Sequence, residues 1–320
     1  GGPAIIEKVV IDQSTLGSRP GYSSKFLGDG KLEAPLPTLP ASLKKDVAPL
    51  LKKPGEYLLK YYNYSVAMNK RRKFAFFAAV NIDGKLRRDV GKREGDTWYR
   101  DPRIDKDYQI GDEFYAKQAL DEARTKNPFD RGHLVRRLDA TWGSSEALAK
   151  RNGNDTFHFT NCTPQFFKFN QGAKMWLGLE EYVLDQLEAD KRRACVMNGP
   201  VFDGPEADEG EMPDPDAPTK ADPKFKGVAI PKFFWKLMVI EQSGVLAAAA
   251  FLLSQQDLIF GIDRIEEKLT PAEAKMYQVS IADLVKFTKL NFGKLAQSDT
   301  KEATRRAKPR LIENLEDIRF

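Results

Sequence analysis

Asn127–Gly143, NPFDRGHLVRRLDATWG, places one of the chain's two histidines inside a short polar cluster. His133 directly follows Asp130, Arg131 and Gly132. Glycine permits a close backbone approach, and the planar guanidinium of arginine matches the geometry of a phosphate. A histidine side chain titrates near neutral pH and can act as a general base, although a single histidine is more often structural. Both interpretations of His133 stay open on these residues alone.

Helical spacing is clearest in AKMWLGLEEYVLDQLEADKRR, where apolar residues recur every three or four positions. Glu180 lies on the apolar face of this predicted helix, four residues after Trp176 and four before Leu184. Glu181 lies on the polar side instead. A carboxylate on an apolar face is costly unless it is paired, hydrogen-bonded or close to a metal. A half-exposed glutamate at the edge of the face is an equally good interpretation of Glu180. The predicted apolar face consists of Trp176, Leu177, Val183, Leu184 and Leu187.

Asn170, in KFNQGAK just before this helix, also has two interpretations. An asparagine at the start of a helix is usually a cap, and the residues alone favour that role. Its amide oxygen is also a hard ligand suited to Mg²⁺, which prefers oxygen donors. A histidine base, an arginine for phosphate and an oxygen-ligated metal together form the equipment for cleaving a phosphodiester.

Four motifs in sequence order resemble those of the DNA/RNA non-specific endonucleases of the ββα-metal (His-Me finger) class, the family of endonuclease G. DRGH at 130–133 resembles the family's signature tetrapeptide. FTNCTPQFFKFNQGAKMWLGLEEYV resembles its second motif, and VMNGPVF and VAIPKFFWKLMV resemble its downstream strands. The similarity extends from about Tyr57 to Phe292. The resemblance implies an endonuclease that hydrolyses DNA and RNA and leaves 5′-phosphate ends.

The resemblance also implies a role for each residue at a motif position. His133 matches the general base, and Asn170 matches the one direct protein ligand of Mg²⁺, with Mn²⁺ as the alternative ion. Glu180 matches the helix acid that holds water on the metal, in agreement with its place on the apolar face. Asn161, before TPQ, matches a polar position that supports the site.

Several arginines are candidates for contacts with phosphate. Arg131 matches the signature arginine of the family. REGDTWYRDPR resembles the segment that supplies another arginine to the phosphate, and Arg93 is our choice there, with Arg100 as the alternative. Arg136 and Arg137 in LVRR are expected to contact the nucleic-acid backbone, and a solvated pair of surface charges is nearly as good an interpretation.

Two departures from the family pattern bear on these roles. The chain is slightly longer than common members between NQG and the Leu-Glu pair, so the assignment of Glu180 depends partly on helix phase. Leu138 stands where many relatives carry a small residue. DRGHLVRR followed by WG resembles a subgroup often fused behind trypsin-like protease domains, which implies an upstream protease domain or an activating protease as partner. Dimers occur in the family, so a homodimer is a further expectation.

The predicted strands and helices indicate an α+β fold, with a central, mostly antiparallel sheet flanked by helices. The resemblance implies that this fold carries the ββα-metal motif. Strands and helices do not alternate strictly, which argues against a doubly wound sheet. The predicted strands include RRKFAFFAAVNIDGKL, RACVMNGPVF, GVAIPKFFWKLMVI and GVLAAAAFLLSQ. We predict an extended Pro- and Gly-rich arm over 1–56, an endonuclease domain over 57–297 and a charged surface tail or helix over 298–320.

Smaller features complete the prediction. DTFHFTNCTPQ is typical of a strand that stops at Pro164, and its His158 is expected to be structural. Cys162 and Cys195 have no zinc-site spacing and are expected to be two buried thiols rather than a disulfide. Residues 203–224 are acidic and rich in proline, which predicts an exposed loop whose charged side chains are solvated.

Composition limits the classes of protein that the chain can belong to. It has 320 residues, of which 41% are hydrophobic and 30% charged, with a net charge of +5. This charge allows DNA or RNA as a partner without requiring one. Apolar runs are all too short to span a membrane, so no membrane partner is expected. The first residues lack both Met and the pattern of a signal peptide, which favours a cytoplasmic location and a processed or excerpted chain.

Two rival functions follow from the same residues. The first is a catalytically silent nucleic-acid-binding module, against which the joint presence of His133, Asn170 and Glu180 argues. The second is a protease-activated or inhibitor-controlled nuclease effector, for example in bacterial defence. In that hypothesis the segment 1–56 blocks the site until it is moved.

Overall fold

A single large antiparallel sheet, the main sheet, organises the molecule in the computed structural model. The structure describes residues 9–91, 97–115, 127–170, 176–208, 211–259, 275–300 and 310–312. The strands are β1 (Leu58–Lys60), β2 (Tyr64–Asn69), β3 (Phe74–Asp83), β4 (Phe129–His133), β5 (Cys162–Phe166), β6 (Arg193–Val201), β7 (Lys224–Phe225), β8 (Val228–Ala229), β9 (Phe233–Gln242), β10 (Val245–Ser254), β11 (Lys275–Val279) and β12 (Arg310–Leu311). The helices are α1 (Ala41–Lys44), α2 (Asp112–Tyr115), α3 (Arg137–Ala140), α4 (Glu146–Asn154), α5 (Phe167–Asn170), α6 (Trp176–Ala189), α7 (Gln256–Ile259) and α8 (Ile281–Thr288).

The main sheet has eight strands in the order β1-β2-β3-β6-β9-β10-β11-β12, and β4 with β5 forms a separate two-stranded sheet, the site sheet. Every pairing between the described strands is antiparallel. The predicted α+β fold is therefore confirmed. The described helices contain no segment long and apolar enough to cross a membrane.

Both faces of the main sheet are covered by apolar layers, as β10 illustrates. Ala249 and Phe251 belong to the layer that also holds the site sheet, while Ala250 and Leu252 belong to the opposite layer. Alternate side chains of a strand point to opposite faces, so a strand between two layers is apolar throughout. The alanines of β10 favour a helix locally, and burial between two layers overrides that preference.

The described part of the N-terminal segment packs closely on the rest of the fold. Its regular structure consists of α1 and two short 3₁₀ turns, and Leu16 and Leu39 are buried in opposite apolar layers. Arg19 donates from Nε to Oδ2 of Asp155 at 3.1 Å, and these side chains are only 3% and 2% exposed. The segment is therefore held by buried contacts along its length, while the predicted division of the chain at residues 56 and 297 stays a prediction.

Two local predictions differ from the structure. Pro164 lies inside β5 instead of ending a strand. Among the described strands none pairs with the outer edge of β5, so the missing N–H of the proline leaves no ladder bond unmade. Residues 159–161 form a 3₁₀ turn before β5 rather than part of a strand. In the C-terminal segment, the described residues 310–311 form β12, which pairs with β11 of the main sheet, and the predicted tail or helix over 298–320 stays a prediction.

The acidic segment 203–224 has no regular element in its described part up to residue 223, but Lys224 begins β7, and the ends of the segment are anchored rather than freely solvated. Arg72 forms ion pairs with Asp203 and with the buried Asp222. Ala207 donates its backbone N–H to the Gln256 side chain at 3.2 Å. The two ends of the segment are thus fastened to the β2–β3 turn and to α7.

Candidate active site

The site sheet brings the DRGH and TPQ motifs side by side. His133, the last residue of β4, pairs with Cys162, and Gly132 pairs with Thr163. α5 follows β5 directly and contacts both strands, and α6 contacts α5. The order is therefore strand, strand, helix, with Asn170 at the end of α5 beside the strand that carries His133.

The His133 ring is half-buried and held between aromatic rings. Its centroid lies 4.6 Å from that of Trp98 and 4.9 Å from that of Phe157, to which it is edge-on at 89°. Contacts on two sides restrict the ring to few orientations. The motif REGDTWYRDPR pointed to its arginines and not to Trp98. A tryptophan within a polar stretch was the signal that could have found it.

Gly132 is required because the Gln165 side chain occupies the space beside its Cα. A Cβ at this position would lie 2.2 Å from Cδ of Gln165 and 2.4 Å from its Oε1. Gln165 is fully buried, and neither polar atom of its amide finds a hydrogen-bond partner within the described parts of the chain. Gly132 therefore allows the DRGH backbone to pack closely against the Gln165 side chain of the TPQ motif.

We expect Gly132→Ala to lower the free energy of unfolding by about 1–3 kcal/mol, the usual cost of overpacking. The double variant Gly132→Ala/Gln165→Ala should recover most of that loss, because the atoms that clash are gone. Chemical denaturation of the two variants measures both effects. Gly55→Ala is the matched control, since a Cβ at Gly55 meets nothing within 4 Å. A double variant as unstable as Gly132→Ala would contradict this account.

Two buried asparagines hold the backbone that follows His133. Oδ1 of Asn161 accepts from the N–H of Val135 at 2.9 Å, and Nδ2 donates to the Val135 carbonyl at 2.9 Å. Asn198, on β6, donates from Nδ2 to the Leu134 carbonyl at 3.0 Å. Asn161 thus forms the two hydrogen bonds with the Val135 backbone that a neighbouring strand would form. This contact is of the kind expected for a residue that supports the site. Asn198 was missed, although a polar residue in the apolar strand VMNGPVF was a signal for it.

Two of the arginines predicted to contact phosphate, Arg131 and Arg100, are paired with acids. Nη2 of Arg131 donates to Oδ1 of Asp112 at 2.7 Å, and the guanidinium lies 5.7 Å from the Tyr115 ring centroid. Nη2 of Arg100 donates to Oε1 of Glu113 at 2.6 Å. Both acids are largely exposed, and exposed ion pairs contribute about 0–1 kcal/mol. Either arginine could therefore exchange its acid for a phosphate at little cost.

The arginines after the motif contact protein groups instead of extending into solvent. Nη2 of Arg136 lies 3.8 Å from Oε1 of Glu181 on α6. Nη1 of Arg137 donates to the Gly91 carbonyl at 3.4 Å. Both side chains are half-buried, so the predicted backbone contacts of Arg136 and Arg137 stay predictions. Arg93 lies outside the described residues.

The phase of α6 agrees with the predicted apolar face. Val183, Leu184 and Leu187 are buried and Glu181 is exposed, as predicted. Position 180 lies three residues before Val183 and four before Leu184, and it therefore lies on the same face of the helix. The side chains of Glu180 and Asn170 lie outside the described part of the structure, and their roles stay predictions.

The side-chain types of Asn170 and Glu180 suit a hard cation. The described residues include no cluster of three or more His, Cys, Asp or Glu side chains able to hold a metal. An amide oxygen and one carboxylate are oxygen donors, which Mg²⁺ accepts together with several waters. Asn170 and Glu180 lie on consecutive helices that contact each other. The residue types and the backbone placement therefore fit a metal with few protein ligands.

Both cysteines are buried free thiols, as predicted. Burial raises the pKa of Cys162 to about 12 and that of Cys195 to about 11. Cys162 is the cross-strand neighbour of His133, so it is the one thiol within reach of the site. Because a thiol nucleophile acts as its thiolate, a protonated Cys162 is a poor nucleophile.

His158 packs in the core, which agrees with its predicted structural role. Its ring centroid lies 4.8 Å from that of Tyr61, and Nδ1 donates to the Asp155 carbonyl at 2.8 Å. Nε2 is buried without a hydrogen-bond partner among the described residues. A second ring proton would have no acceptor, and burial accordingly lowers the pKa of His158 below its usual 6.5.

This lowered pKa predicts acid lability. Below pH 6.5 the unfolded chain binds a proton at His158 more readily than the folded chain does. The free energy of unfolding should therefore fall, by at most about 1.4 kcal/mol per pH unit, as the pH drops from about 6.5 toward the folded pKa. Urea denaturation between pH 5 and 7 measures the slope, and His158→Gln should flatten it. An unchanged slope in that variant would assign the lability to other groups.

Comparison with known proteins agrees with this arrangement. A family model described as DNA/RNA non-specific endonuclease matches residues 49–299, which contain all four motifs. "Uncharacterized protein y4fB" of Sinorhizobium fredii (strain NBRC 101917 / NGR234) is 37% identical over 281 residues, 86% of this chain and 39% of that protein. Mitochondrial endonuclease G of Homo sapiens is 31% identical over 121 residues, 36% of this chain and 35% of that protein. The chain thus spans about two-fifths or less of these curated relatives.

Among solved structures, the chain resembles one in the crystal structure of the EndoG/EndoGI complex, which concerns the mechanism of EndoG inhibition. The TM-score is 0.51 at 18% sequence identity, over 73% of this chain and 84% of that chain. Identity this low shows a shared fold and nothing finer. The match therefore supports the α+β fold.

Proposed function

The chain belongs to the DNA/RNA non-specific endonuclease family, and from this premise we propose that it hydrolyses phosphodiester bonds of both DNA and RNA. One observation carries the proposal. The DRGH histidine ends a strand whose neighbours are the TPQ strand and the helix of Asn170, so the three motif elements meet at one place. A silent binding module would have no need for an oriented histidine there.

The proposed reaction is an in-line displacement at phosphorus. His133 takes a proton from a water molecule, the water oxygen attacks the phosphorus, and the bond to the 3′ oxygen breaks, leaving a 5′-phosphate. The rings of Trp98 and Phe157 keep the imidazole in place for this transfer. Arg131, exchanging Asp112 for the substrate, neutralises the non-bridging oxygens as charge develops.

Magnesium is the metal that the donor set suits, with manganese as the alternative. Asn170 would hold the ion through its amide oxygen, with the Glu180 carboxylate as a second oxygen group. When bound, such an ion would supply positive charge that stabilises the negative charge developing in the reaction. Asn161 and Asn198 contribute by holding Leu134 and Val135, and with them the end of β4.

Recognition in this proposal rests on the sugar–phosphate backbone. Arginines bind phosphate regardless of the base, so cleavage should show little sequence preference and should weaken as salt rises. Digestion of a DNA duplex and of an RNA of the same sequence, at one low salt concentration with Mg²⁺ and with EDTA, tests the substrate class. Ligase and phosphatase treatment of the products identifies their ends. Cleavage of one polymer alone, or 3′-phosphate ends, would contradict the proposal.

A further inference from the structure

A short basic hairpin, the β7–β8 hairpin (residues 224–229), packs beside the site sheet. Its two strands pair with each other, and Lys226 and Gly227 form the turn between them. Both turn residues have positive φ, 48° for Lys226 and 80° for Gly227. Two consecutive residues of this kind form the tight turn that matches the twist of a two-stranded hairpin. The hairpin therefore has a defined shape with Lys226 at its tip.

Phe225 of β7 anchors the hairpin to the elements that carry Arg131. Its ring centroid lies 5.4 Å from that of Phe129, the first residue of β4, and 6.2 Å from that of Phe114 on α2. α2 also supplies Asp112, the acid that pairs with Arg131. Contacts between aromatic rings favour specific relative orientations. The hairpin is therefore fixed both to the strand that carries Arg131 and to the helix that contacts it.

The hairpin contacts the face of the site sheet that carries the histidine. Phe129, Arg131 and His133 are alternate residues of β4, and alternate side chains of a strand point to the same face. At about 3.3 Å per residue, Phe129 lies roughly 13 Å from His133 along the strand. A nucleic-acid strand that is cleaved at His133 and continues along Arg131 would therefore reach the hairpin within a few nucleotides.

The two lysines of the hairpin have charges that are available to such a strand. Lys224 and Lys226 are exposed, and within the described parts of the chain neither forms an ion pair. Two lysines close to them in sequence differ in this respect. Lys220 pairs with Glu206, and Lys232 is buried and donates to the Lys220 carbonyl at 2.9 Å. Lys224 and Lys226 can therefore bind a phosphate without first giving up an acid.

Three acids near the hairpin are neutralised by arginines. Asp222, two residues before Lys224, is buried and pairs with Arg72. Asp112 and Glu113 of α2 each pair with an arginine. The two lysines thus give the hairpin a local excess of positive charge. A nucleic-acid backbone is attracted to such a place, because every nucleotide carries a negative phosphate.

We propose that the β7–β8 hairpin is a second phosphate-binding element, in which Lys224 and Lys226 hold the substrate backbone a few nucleotides from the bond that is cleaved. The inference rests on the proposed function and deepens it, because it assigns a substrate-binding surface outside the reacting centre. Lysine binds phosphate as a point charge and does not read the bases. The hairpin should therefore strengthen the binding of any sequence and add to its salt dependence.

The test measures binding of an uncleaved DNA duplex in EDTA by the full chain and by Lys224→Gln/Lys226→Asn. Loss of two phosphate contacts should reduce the slope of log K against log salt by about 1.8, at about 0.9 per contact. At about 0.1 M salt the Kd should rise about 10-fold or more. In cleavage with Mg²⁺ the loss should appear more in KM than in kcat, because the lysines lie away from the bond that is cleaved.

The substitutions are chosen to keep the hairpin folded. Asparagine tolerates positive φ better than lysine does, so Lys226→Asn should not lower the melting temperature. Weaker binding at an unchanged melting temperature therefore reports the lost charge and not a lost fold. Phe225→Ala is a second variant, which keeps both lysines and removes the contact with Phe129. It should also weaken binding, because the lysines are then no longer held beside the site.

The matched control is Lys45→Gln/Lys289→Asn, which removes two lysine charges by the same substitutions. Both lysines are exposed, and Lys289 also has positive φ, 61°. They follow α1 and α8, whose apolar residues belong to the layer on the other side of the main sheet from the site sheet. The control should bind DNA with the Kd and the salt slope of the wild-type chain.

Two results would overturn the inference while wild-type cleavage upholds the proposed function. One is a Lys224→Gln/Lys226→Asn variant with wild-type Kd and salt slope. The other is an equal loss of affinity in the control, which would show that the effect belongs to the total charge and not to the hairpin. Failure of the wild-type chain itself to cleave DNA or RNA would instead overturn the proposed function, and with it this inference.

Discussion

His133→Ala is expected to cleave DNA about 10² to 10⁴ times more slowly than the wild-type chain, which is the usual contribution of a positioned general base. Without the imidazole, the attacking water has no group at the end of β4 to take its proton. Single-turnover cleavage with enzyme in excess measures this step without product release. Affinity for an uncleaved DNA duplex, measured in EDTA, should change little, because the proposed binding depends on arginines.

The second histidine supplies the control. His158→Gln removes the other imidazole, which lies in the core against Tyr61. It should lower thermal stability while the folded protein keeps its cleavage rate, because its ring faces Asp155 and the core rather than the site. Equal loss of rate in both variants would show that the assay reports folding, and the assignment of His133 as base would then fail.

Removal of residues 1–56 is expected to unfold the chain rather than activate it. The deletion would strip Leu16 and Leu39 from the two apolar layers and leave Asp155 without Arg19. Breaking a buried ion pair costs about 3–5 kcal/mol, a large part of the about 5–15 kcal/mol that stabilises a typical domain. Circular dichroism during heating should show no cooperative transition in the deleted chain.

A point variant isolates the electrostatic part of this prediction. Arg19→Met should destabilise the protein strongly, and Arg19→Met/Asp155→Asn should recover part of the loss because no buried charge stays unpaired. A truncated chain that melts cooperatively and cleaves faster than the full chain would contradict our account. That result would favour the effector hypothesis, in which the segment blocks the site.

The sequence predicted the parts of the site that depend on local pattern and motif order. DRGH and TPQ…NQG are contiguous strings in a known order, and they led to His133, Asn161 and Asn170, whose roles stay predictions. The buried face of α6 followed from helical spacing, and Val183 and Leu184 lie where the spacing placed them. Apolar strands such as β10 were also predictable, since a run without polar residues suits a sheet covered on both faces.

Other parts depend on contacts between distant segments, which spacing does not encode. The packing of Trp98 on His133 joins residues that are far apart in the chain. Pro164 was predicted to end a strand, because nothing local shows that β5 lies at an edge where proline is tolerated. The burial of Arg19 could not be predicted for the same reason, because its partner Asp155 lies in a distant segment of the chain.

Cleavage of supercoiled plasmid by the wild-type chain and by His133→Ala, side by side in Mg²⁺ and in EDTA, tests the central claim most directly. Our account predicts nicked and linear plasmid with the wild-type chain in Mg²⁺ alone, and intact plasmid in the other three reactions. Intact plasmid with the wild-type chain in Mg²⁺, or equal cleavage by His133→Ala, would contradict it.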